Sequence, residues 1–446
     1  MLVARELDVR PDPLGIARTL AASGRPGVAL LHAAETGDHA WARWSWIGAC
    51  PDRRSHRLDP LVDDPQPPAS RGSTLAAAPR WIGVLPYEHR RDLERPAWRP
   101  EDRRPPTRID RPIWLRYPAV VGVDHLTGRV MVTGIDRRAV DALAAAVQGR
   151  LAPAPPALRI EVADDEPAAR HEGRIVAAKE LILAGDLYQV NLARRLLIRV
   201  LRGDALTLYA SLVRKAPTPL GAFMDLGEGL RVVSTSPELF LRAEPDPDSR
   251  GDSRRWGALL TAPIKGTRPR GKDAKEDRAL AEELDRDPKE RAELTMIIDV
   301  ERNDLGRVAV PGSVRVTSLP HVHTHRTLHH RVACVTARAR PECSREDVLR
   351  AMLPSGSVTG APKVRAMEVI ATLEPRRRGL YTGAIGHIAH DGGLTMAMAI
   401  RTAVLEEGEG EYWTGGGIVA DSDPEREVEE TRWKALQLQQ AAQGRG

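Results

Sequence analysis

Gly185-Asp186-Leu187-Tyr188-Gln189-Val190-Asn191-Leu192 stands where the hydrophobic period changes, and that change decides the fold class. Upstream, 174–184 reads as a helix stopped by Gly185, because a glycine tolerates the left-handed conformation that ends helices. Downstream, 187–200 reads as one long strand. Toward the C-terminus, apolar runs at 220–225, 230–234, 383–388 and 394–405 predict further strands bounded by turn residues. Helical patterns at 276–284, 288–298, 361–373 and 424–440 alternate with them. The expectation is an α/β fold of mixed α+β character, with large antiparallel sheets in layers flanked by helices.

Toward the N-terminus the signals are shorter. Strands are predicted at 28–31 and 82–85, an alanine-rich helix at 137–147, and loops at 65–73, 96–112 and 244–255. The stretch 151–167 is proline-rich and then acidic, which suits a connector. The expected division is an N-terminal lobe at 1–155 and a catalytic domain at 168–440.

With 446 residues, 42% hydrophobic and 28% charged, the chain is long enough for a large core and has ordinary soluble composition. Its 66 basic residues are interleaved with 61 acidic ones, and the arginine run at 103–111 is broken by proline and aspartate. A net charge of +5 distributed in this way argues against a nucleic-acid surface and suits a small anionic substrate. Cys50, Cys334 and Cys343 make neither a metal cluster nor a disulfide framework, which fits a reducing interior. No run of about 18 apolar residues and no leader-like start is evident, so no membrane association and a cytoplasmic location are expected.

Several residues carry chemistry. Lys265 lies in Pro263-Ile264-Lys265-Gly266-Thr267-Arg268-Pro269-Arg270, a turn-prone setting with two arginines behind the amine. Glu290 and Glu293 share one helix face, and Glu427 and Glu430 share another, with Lys434 one turn beyond Glu430. Facing carboxylate pairs suit a hard cation such as Mg2+; a water-facing acidic surface is the alternative. Gly415-Gly416-Gly417 is read either as backbone open to a carboxylate or as a tight strand-to-helix turn. The loop 354–363 fails the phosphate-loop spacing, leaving an anion site served by Ser357 and Thr359 or a plain helix cap. Arg401 and Tyr381 are candidate carboxylate donors or structural residues. His321, His323, His325, His329 and His330 match no zinc spacing.

Ordered blocks over about 171–440 give these residues a common context. They are 185–192, Ser234-Thr235-Ser236-Pro237-Glu238-Leu239, the Lys265 motif, Lys289-Glu290-Arg291-Ala292-Glu293, Arg302-Asn303-Asp304-Leu305-Gly306-Arg307, the Ser357 loop and 415–430. Together they resemble the chorismate-utilising family, whose branches include anthranilate, aminodeoxychorismate, isochorismate and salicylate synthases.

The resemblance implies a chorismate substrate and Mg2+ held by Glu293 and Glu430, with Glu290 and Glu427 beside it, partly through water. It implies that Arg401, Tyr381 and the Gly416-Gly417 backbone hold the enolpyruvyl carboxylate, that Ser357 lines the pocket, and that Lys434 belongs to the acidic network. Glu238 matches the family's general acid, and Thr267 and His330 match groups that orient the departing oxygen or the ring. Gln189 stands where the isochorismate and salicylate enzymes carry a water-activating lysine, so water addition is not expected. Lys265 matches the lysine of many aminodeoxychorismate synthases, where anthranilate synthases carry alanine. Arg268 and Arg270 are expected to favour its neutral amine electrostatically. Leu294 stands where anthranilate synthases usually have a histidine tied to pyruvate elimination.

The branch so implied places nitrogen at C4 through a Lys265 adduct. Ammonia is expected from a separate glutamine amidotransferase subunit. In the N-terminal third, Leu30-Leu31-His32-Ala33 departs from the Leu-Leu-Glu-Ser of tryptophan-regulated relatives, so tryptophan feedback is not expected.

Overall fold

The computed structural model describes residues 2–35, 40–64, 74–89, 102–149, 152, 157–246, 255–324 and 328–443. The loop expected at 65–73 and His325 lie outside the described residues, as do parts of the segments at 96–112, 151–167 and 244–255.

Two large sheets form the centre. The first has twelve strands in the order Val3–Leu7, Val130–Gly134, Ala119–Asp124, Trp44–Gly48, Ala29–His32, Leu220–Asp225, Leu230–Ser236, Thr402–Glu406, Glu409–Ile418, Gln189–Arg202 and Gly360–Ala361, with Arg159–Asp164 also paired to Gln189–Arg202. The second has ten, ordered Ile264–Pro269, Leu328–Arg338, Trp256–Ala262, Leu239–Pro245, Leu394–Met398, Ala384–Ala389, Pro79–Leu85, Ile113–Arg116 and Arg53–Ser55, with Arg315–Thr324 paired to Leu328–Arg338. Every ladder between these strands is antiparallel, as expected. Residues 1–155 and 168–440 contribute to both sheets: Ala29–His32 pairs with Leu220–Asp225, and Pro79–Leu85 pairs with Ala384–Ala389.

The period of two in the strands sorts side chains into layers. Ile47 and Val121 pack with Ile16, Leu20, Val140 and Leu143 of the helices Pro13–Ala22 and Arg137–Gln148 on the outside of the first sheet. Their neighbours Trp46 and Val120 point inward to Ile82, Val84 and Ile385 of the second sheet. The helices Pro288–Gly306 and Arg345–Met352 cover the second sheet through Leu294, Ile298, Leu305, Val348 and Leu349. A further cluster joins Ala168–Leu183, Lys363–Leu373 and Pro424–Lys434 around Val190 and Leu192.

Several elements differ from the sequence reading; the helix expected at 174–184 begins at Ala168. The helix expected at 288–298 continues to Gly306, because the apolar row Leu294, Ile298, Leu305 continues against the second sheet. The helix expected from 361 starts at Lys363, since Gly360–Ala361 pairs with Gln189 and Val190. The helix expected at 424–440 is interrupted at Ala435. The strand expected at 394–405 is two strands in different sheets, separated where Arg401 takes a left-handed φ of 51°.

That break matters for the site. The chain passes from the first sheet to the second between Ser236 and Leu239, and back again between Met398 and Thr402. The two crossings are tied together: Met398 N donates to Glu238 O at 2.9 Å, and Thr235 N donates to Arg401 O at 3.1 Å. Glu238 and Arg401 thus stand side by side where the sheets exchange chain.

Candidate active site

Glu238 is 6% exposed, and its Oε1 accepts a 2.8 Å hydrogen bond from Ser357 Oγ. Burial raises its carboxyl to about 7, against the opposing pull of Ser357, Lys265, the Ile264 amide and Arg401. Desolvation outweighs two cations here. A carboxyl with this value is an acid at neutral pH that can still give up its proton.

Lys265 lies on the strand Ile264–Pro269, with Nζ 3.5 Å from Ser357 O. The next residue, Gly266, has φ 79°, and the strand register shifts between Lys265 and Thr267. A Cβ on Gly266 would lie 2.8 Å from Leu284 Cδ1 and 2.9 Å from Glu290 Oε2, so the bulge admits only glycine. Thr267 Oγ1 and His330 Nδ1 are 3.0 Å apart. The two arginines behind the lysine are committed elsewhere: Arg268 to Glu283, Asp287 and Glu290, and Arg270 to Asp277.

Carboxylates collect at the end of the helices Pro288–Gly306 and Pro424–Lys434. Glu290 is raised by burial and then by repulsion from Glu293, Asp287 and Glu430, so the acidic faces of the two helices sense each other. Glu427 is raised by burial against a 2.7 Å hydrogen bond from Ser422 Oγ. Glu430 is lowered, first by Lys434 at 2.6 Å. Lys434 also donates to Gly415 O at 2.8 Å, and Lys289 lies 4.0 Å from Glu293. Among the described residues no three His, Cys, Asp or Glu side chains converge as a ligand set. The donor chemistry, oxygen-only and mutually repelling, is of the kind that suits a hard cation.

The glycine triplet lies inside the strand Glu409–Ile418, opposite Asn191, Leu192 and Ala193, which excludes a strand-to-helix turn. A Cβ on Gly416 would stand 3.1 Å from Glu427 Oε2, and one on Gly417 would stand 2.1 Å from Gln189 Nε2. The missing side chains therefore leave room for the Gln189 amide and for the carboxylates. Gln189 is buried, and its Oε1 has no hydrogen-bond partner among the described residues.

Tyr381 stacks on Trp413 with ring centroids 6.0 Å apart and lies 5.6 Å from the Arg378 guanidinium carbon. Burial raises its phenol, so it remains a hydrogen-bond donor. Thr382 N donates to Ala399 O at 2.9 Å, which brings the Tyr381 turn against the Arg401 crossing. Burial lowers the Arg401 guanidinium, while Tyr412 and Glu238 oppose that shift.

The loop 354–363 is not a free anion site. Ser357 serves Glu238, Thr359 Oγ1 donates to Ser355 O at 2.9 Å, and Lys363 pairs with Asp304 at 2.8 Å. Sequence reasoning missed Glu301, which is 1% exposed and hydrogen-bonded to Ser355 Oγ. Its signal was present: a glutamate in the apolar row of Leu294, Ile298 and Leu305. The Arg378–Glu374 pair, with both side chains at 0% exposure, was also missed.

A separate cavity of about 140 Å³ lies between the sheets, lined by Leu31, His32, Trp41, Trp44, Trp46 and His387 among others. Burial lowers His32 to about 4, so it is neutral there. No helix among the described residues is long and apolar enough to cross a membrane.

Comparison with known proteins matches residues 43–440 to the chorismate binding enzyme family. Anthranilate synthase component 1 of Streptomyces coelicolor is 37% identical over 425 residues, covering 88% of this chain and 80% of that protein. Aminodeoxychorismate synthase component 1 of Klebsiella aerogenes is 45% identical over 248 residues, covering 56% of this chain and 52% of that protein. The crystal structure of anthranilate synthase component I from Streptococcus pneumoniae superposes with a TM-score of 0.74 at 28% identity, covering 90% of this chain and 92% of that one. The isochorismate synthase MenF of Escherichia coli shares the fold, with a TM-score of 0.76 at 18% identity, covering 99% of this chain and 94% of that one. With the family match spanning residues 43–440 and a relative 37% identical over 88% of its length, the chain belongs to the chorismate binding enzyme family and is a chorismate-utilising enzyme.

Proposed function

We propose that the chain is component I of aminodeoxychorismate synthase, converting chorismate and ammonia to 4-amino-4-deoxychorismate for folate biosynthesis. The observation that carries this reading is Lys265, whose amine lies 3.5 Å from the carbonyl of the same Ser357 that bonds Glu238. A nucleophile and an acid so close suit a displacement in two stages. Glu238 protonates the C4 oxygen, which leaves as water while the free amine of Lys265 bonds C2. Ammonia then bonds C4 and expels the lysine, and the added nitrogen sheds its proton.

Other residues support the same branch. Gln189 has no amine to activate water at C2. Leu294 is fully buried in the apolar cluster of Ile298 and Leu305 and carries no proton for pyruvate elimination, so the enolpyruvyl group is retained. Arg401, Tyr381 and the Gly416-Gly417 backbone bind the substrate carboxylate, and Thr267 and His330 orient the ring. Mg2+, held by Glu293 and Glu430 with Glu290 and Glu427 through water, would neutralise a substrate carboxylate. The "component 1" designation of the relatives supports a glutamine amidotransferase partner that delivers ammonia.

Anthranilate synthase component I is the second reading, favoured by the 37% identity extending over 88% of the chain. Incubation with chorismate, Mg2+ and ammonia separates the two. An amino product that keeps its enolpyruvyl group is expected, and anthranilate with free pyruvate would overturn the proposal. Failure to consume chorismate even with the partner glutaminase would indicate a noncatalytic chorismate-binding subunit instead.

A further inference from the structure

Behind Glu238 the structure holds a second buried carboxyl, reached through two hydroxyl groups. Ser357 Oγ donates to Glu238 Oε1 at 2.8 Å, Ser355 Oγ and Ser357 Oγ are 3.1 Å apart, and Ser355 Oγ bonds Glu301 Oε1. All four side chains are buried, at 6% exposure or less. Glu301 lies on the helix Pro288–Gly306, the serines on the loop before Lys363, and Glu238 at the inter-sheet crossing. Gly356 between the serines is required: a Cβ there would lie 2.0 Å from Val300 Cγ1, so the loop could not otherwise approach the helix.

We propose that Glu301, acting through Ser355 and Ser357, is the proton reserve that returns Glu238 to its acid form during turnover. This rests on reading Glu238 as the general acid. Glu301 touches no substrate and is a positioning residue. Its Oε2 is buried without a hydrogen-bond partner among the described residues, so Oε1 is the oxygen whose proton has an acceptor. Burial, with Asp304 adding to it, raises Glu301 to about 7, the same value as Glu238. The charged groups facing Glu301 are Asp304, Lys363 and Glu238, and those facing Glu238 are Lys265, Arg401 and Glu301.

The transfers balance. Glu238 gives a proton to the departing C4 oxygen and becomes a carboxylate. The Ser357 proton then passes to Glu238 Oε1, the Ser355 proton to Ser357 Oγ, and the Glu301 proton to Ser355 Oγ. Three O–H bonds break and three form, leaving Glu238 neutral and Glu301 ionised, with Lys363 favouring that charge. When ammonia has bonded carbon, its excess proton enters at Glu238 and the chain runs in reverse, restoring Glu301.

The test compares wild type, Glu301→Gln, Ser355→Ala and the double variant. Each single change is expected to lower kcat about 10- to 100-fold with KM within about twofold, the scale of impaired general acid catalysis. The double variant is expected to be no slower than the slower single, because both interrupt one chain. Wild-type kcat in either single variant, or multiplied losses in the double, would overturn the proposal. If Glu301→Gln does not fold, Ser355→Ala and the infrared comparison of Ser355→Ala with wild type decide alone. In substrate-free protein, the protonated-carboxyl infrared band should titrate in two coupled steps around neutral pH, and in Glu301→Gln as one step at lower pH. In Ser355→Ala the two steps should separate from their wild-type positions; an unchanged Glu238 titration in the variants would equally overturn the proposal. Product identity leaves this result untouched, because the C4 oxygen must be protonated as it leaves whether nitrogen ends at C2 or at C4.

Discussion

Ser357 Oγ donates to Glu238 Oε1 at 2.8 Å, fixing the carboxyl at the crossing between the two sheets. Because burial raises Glu238 to about 7, its acid form is well populated at neutral pH and is lost as pH rises further. Glu238→Gln keeps the shape and removes the transferable proton. Chorismate affinity should persist while kcat falls about 10²- to 10⁴-fold. In wild type, kcat/KM should decline above about pH 7, and that limb should be absent from the residual activity of the variant. Normal turnover by Glu238→Gln would remove it from the acid role.

Lys265→Ala should abolish the 4-amino product or divert turnover to anthranilate. The lysine is needed only where nitrogen replaces oxygen at the same carbon. Chromatographic identification of the product and intact-mass detection of a substrate adduct on wild type check this directly. Undiminished 4-amino product from the alanine variant would exclude a covalent role.

Glu293→Gln and Glu430→Gln should each raise the Mg2+ concentration needed for half-maximal activity by about 10-fold or more, on the scale of losing one charged oxygen ligand. Chelation of wild type should stop turnover, and added Mg2+ should restore it. Glu430→Gln also removes the carboxylate that now holds Lys434 at 2.6 Å and leaves its bond to Gly415 O. Calorimetric Mg2+ titrations with and without substrate would show whether metal and chorismate bind together; identical Mg2+ affinity in wild type and both variants would move the metal elsewhere.

Glu238, Lys265 and the two carboxylate pairs were legible because short ordered blocks carry them. What the sequence hid is non-local. Residues 394–405 are apolar on both sides of Arg401, so no change of period announces that the chain leaves one sheet for the other. Gly415-Gly416-Gly417 reads alike as a turn or a strand until its partner Gln189–Arg202 is known. Glu301 was lost when the helix was ended at 298; carried one turn further, the row Leu294, Ile298, Leu305 encloses an acid that must find a partner.

The two raised carboxyls also set how stability depends on pH. Glu238 and Glu301 move from an ordinary 4.5 to about 7, so the folded protein holds protons that the unfolded chain releases. Their contribution is full below about pH 4.5, falls as pH rises toward 7, and is constant above it. A tenfold change in proton affinity is worth about 1.4 kcal/mol, so each carboxyl can cost up to about 3 kcal/mol across that window. Urea denaturation at pH 5 and pH 8 should show the loss, and Glu301→Gln should remove roughly half of it. An equal loss in that variant would mean that Glu301 ionises as freely folded as unfolded.

Arg378 is the centre of a buried network. Its guanidinium bonds Glu374 with both side chains at 0% exposure, and it also reaches Asn191 O at 2.7 Å and Val358 O at 3.1 Å. Glu374 in turn accepts the Ala193 amide at 2.9 Å, so one pair links the Gln189–Arg202 strand to the Ser357 loop. Arg378→Ala leaves a buried carboxylate uncompensated and should cost about 3–5 kcal/mol in denaturant unfolding. Arg378→Met with Glu374→Gln removes both charges and should recover much of that loss. Its activity should nevertheless stay low, because the guanidinium 5.6 Å from the Tyr381 ring and the bond to Val358 are both gone. Recovery of stability without recovery of turnover would separate the pair's cost in charge from its work in holding Tyr381 and the Ser357 loop.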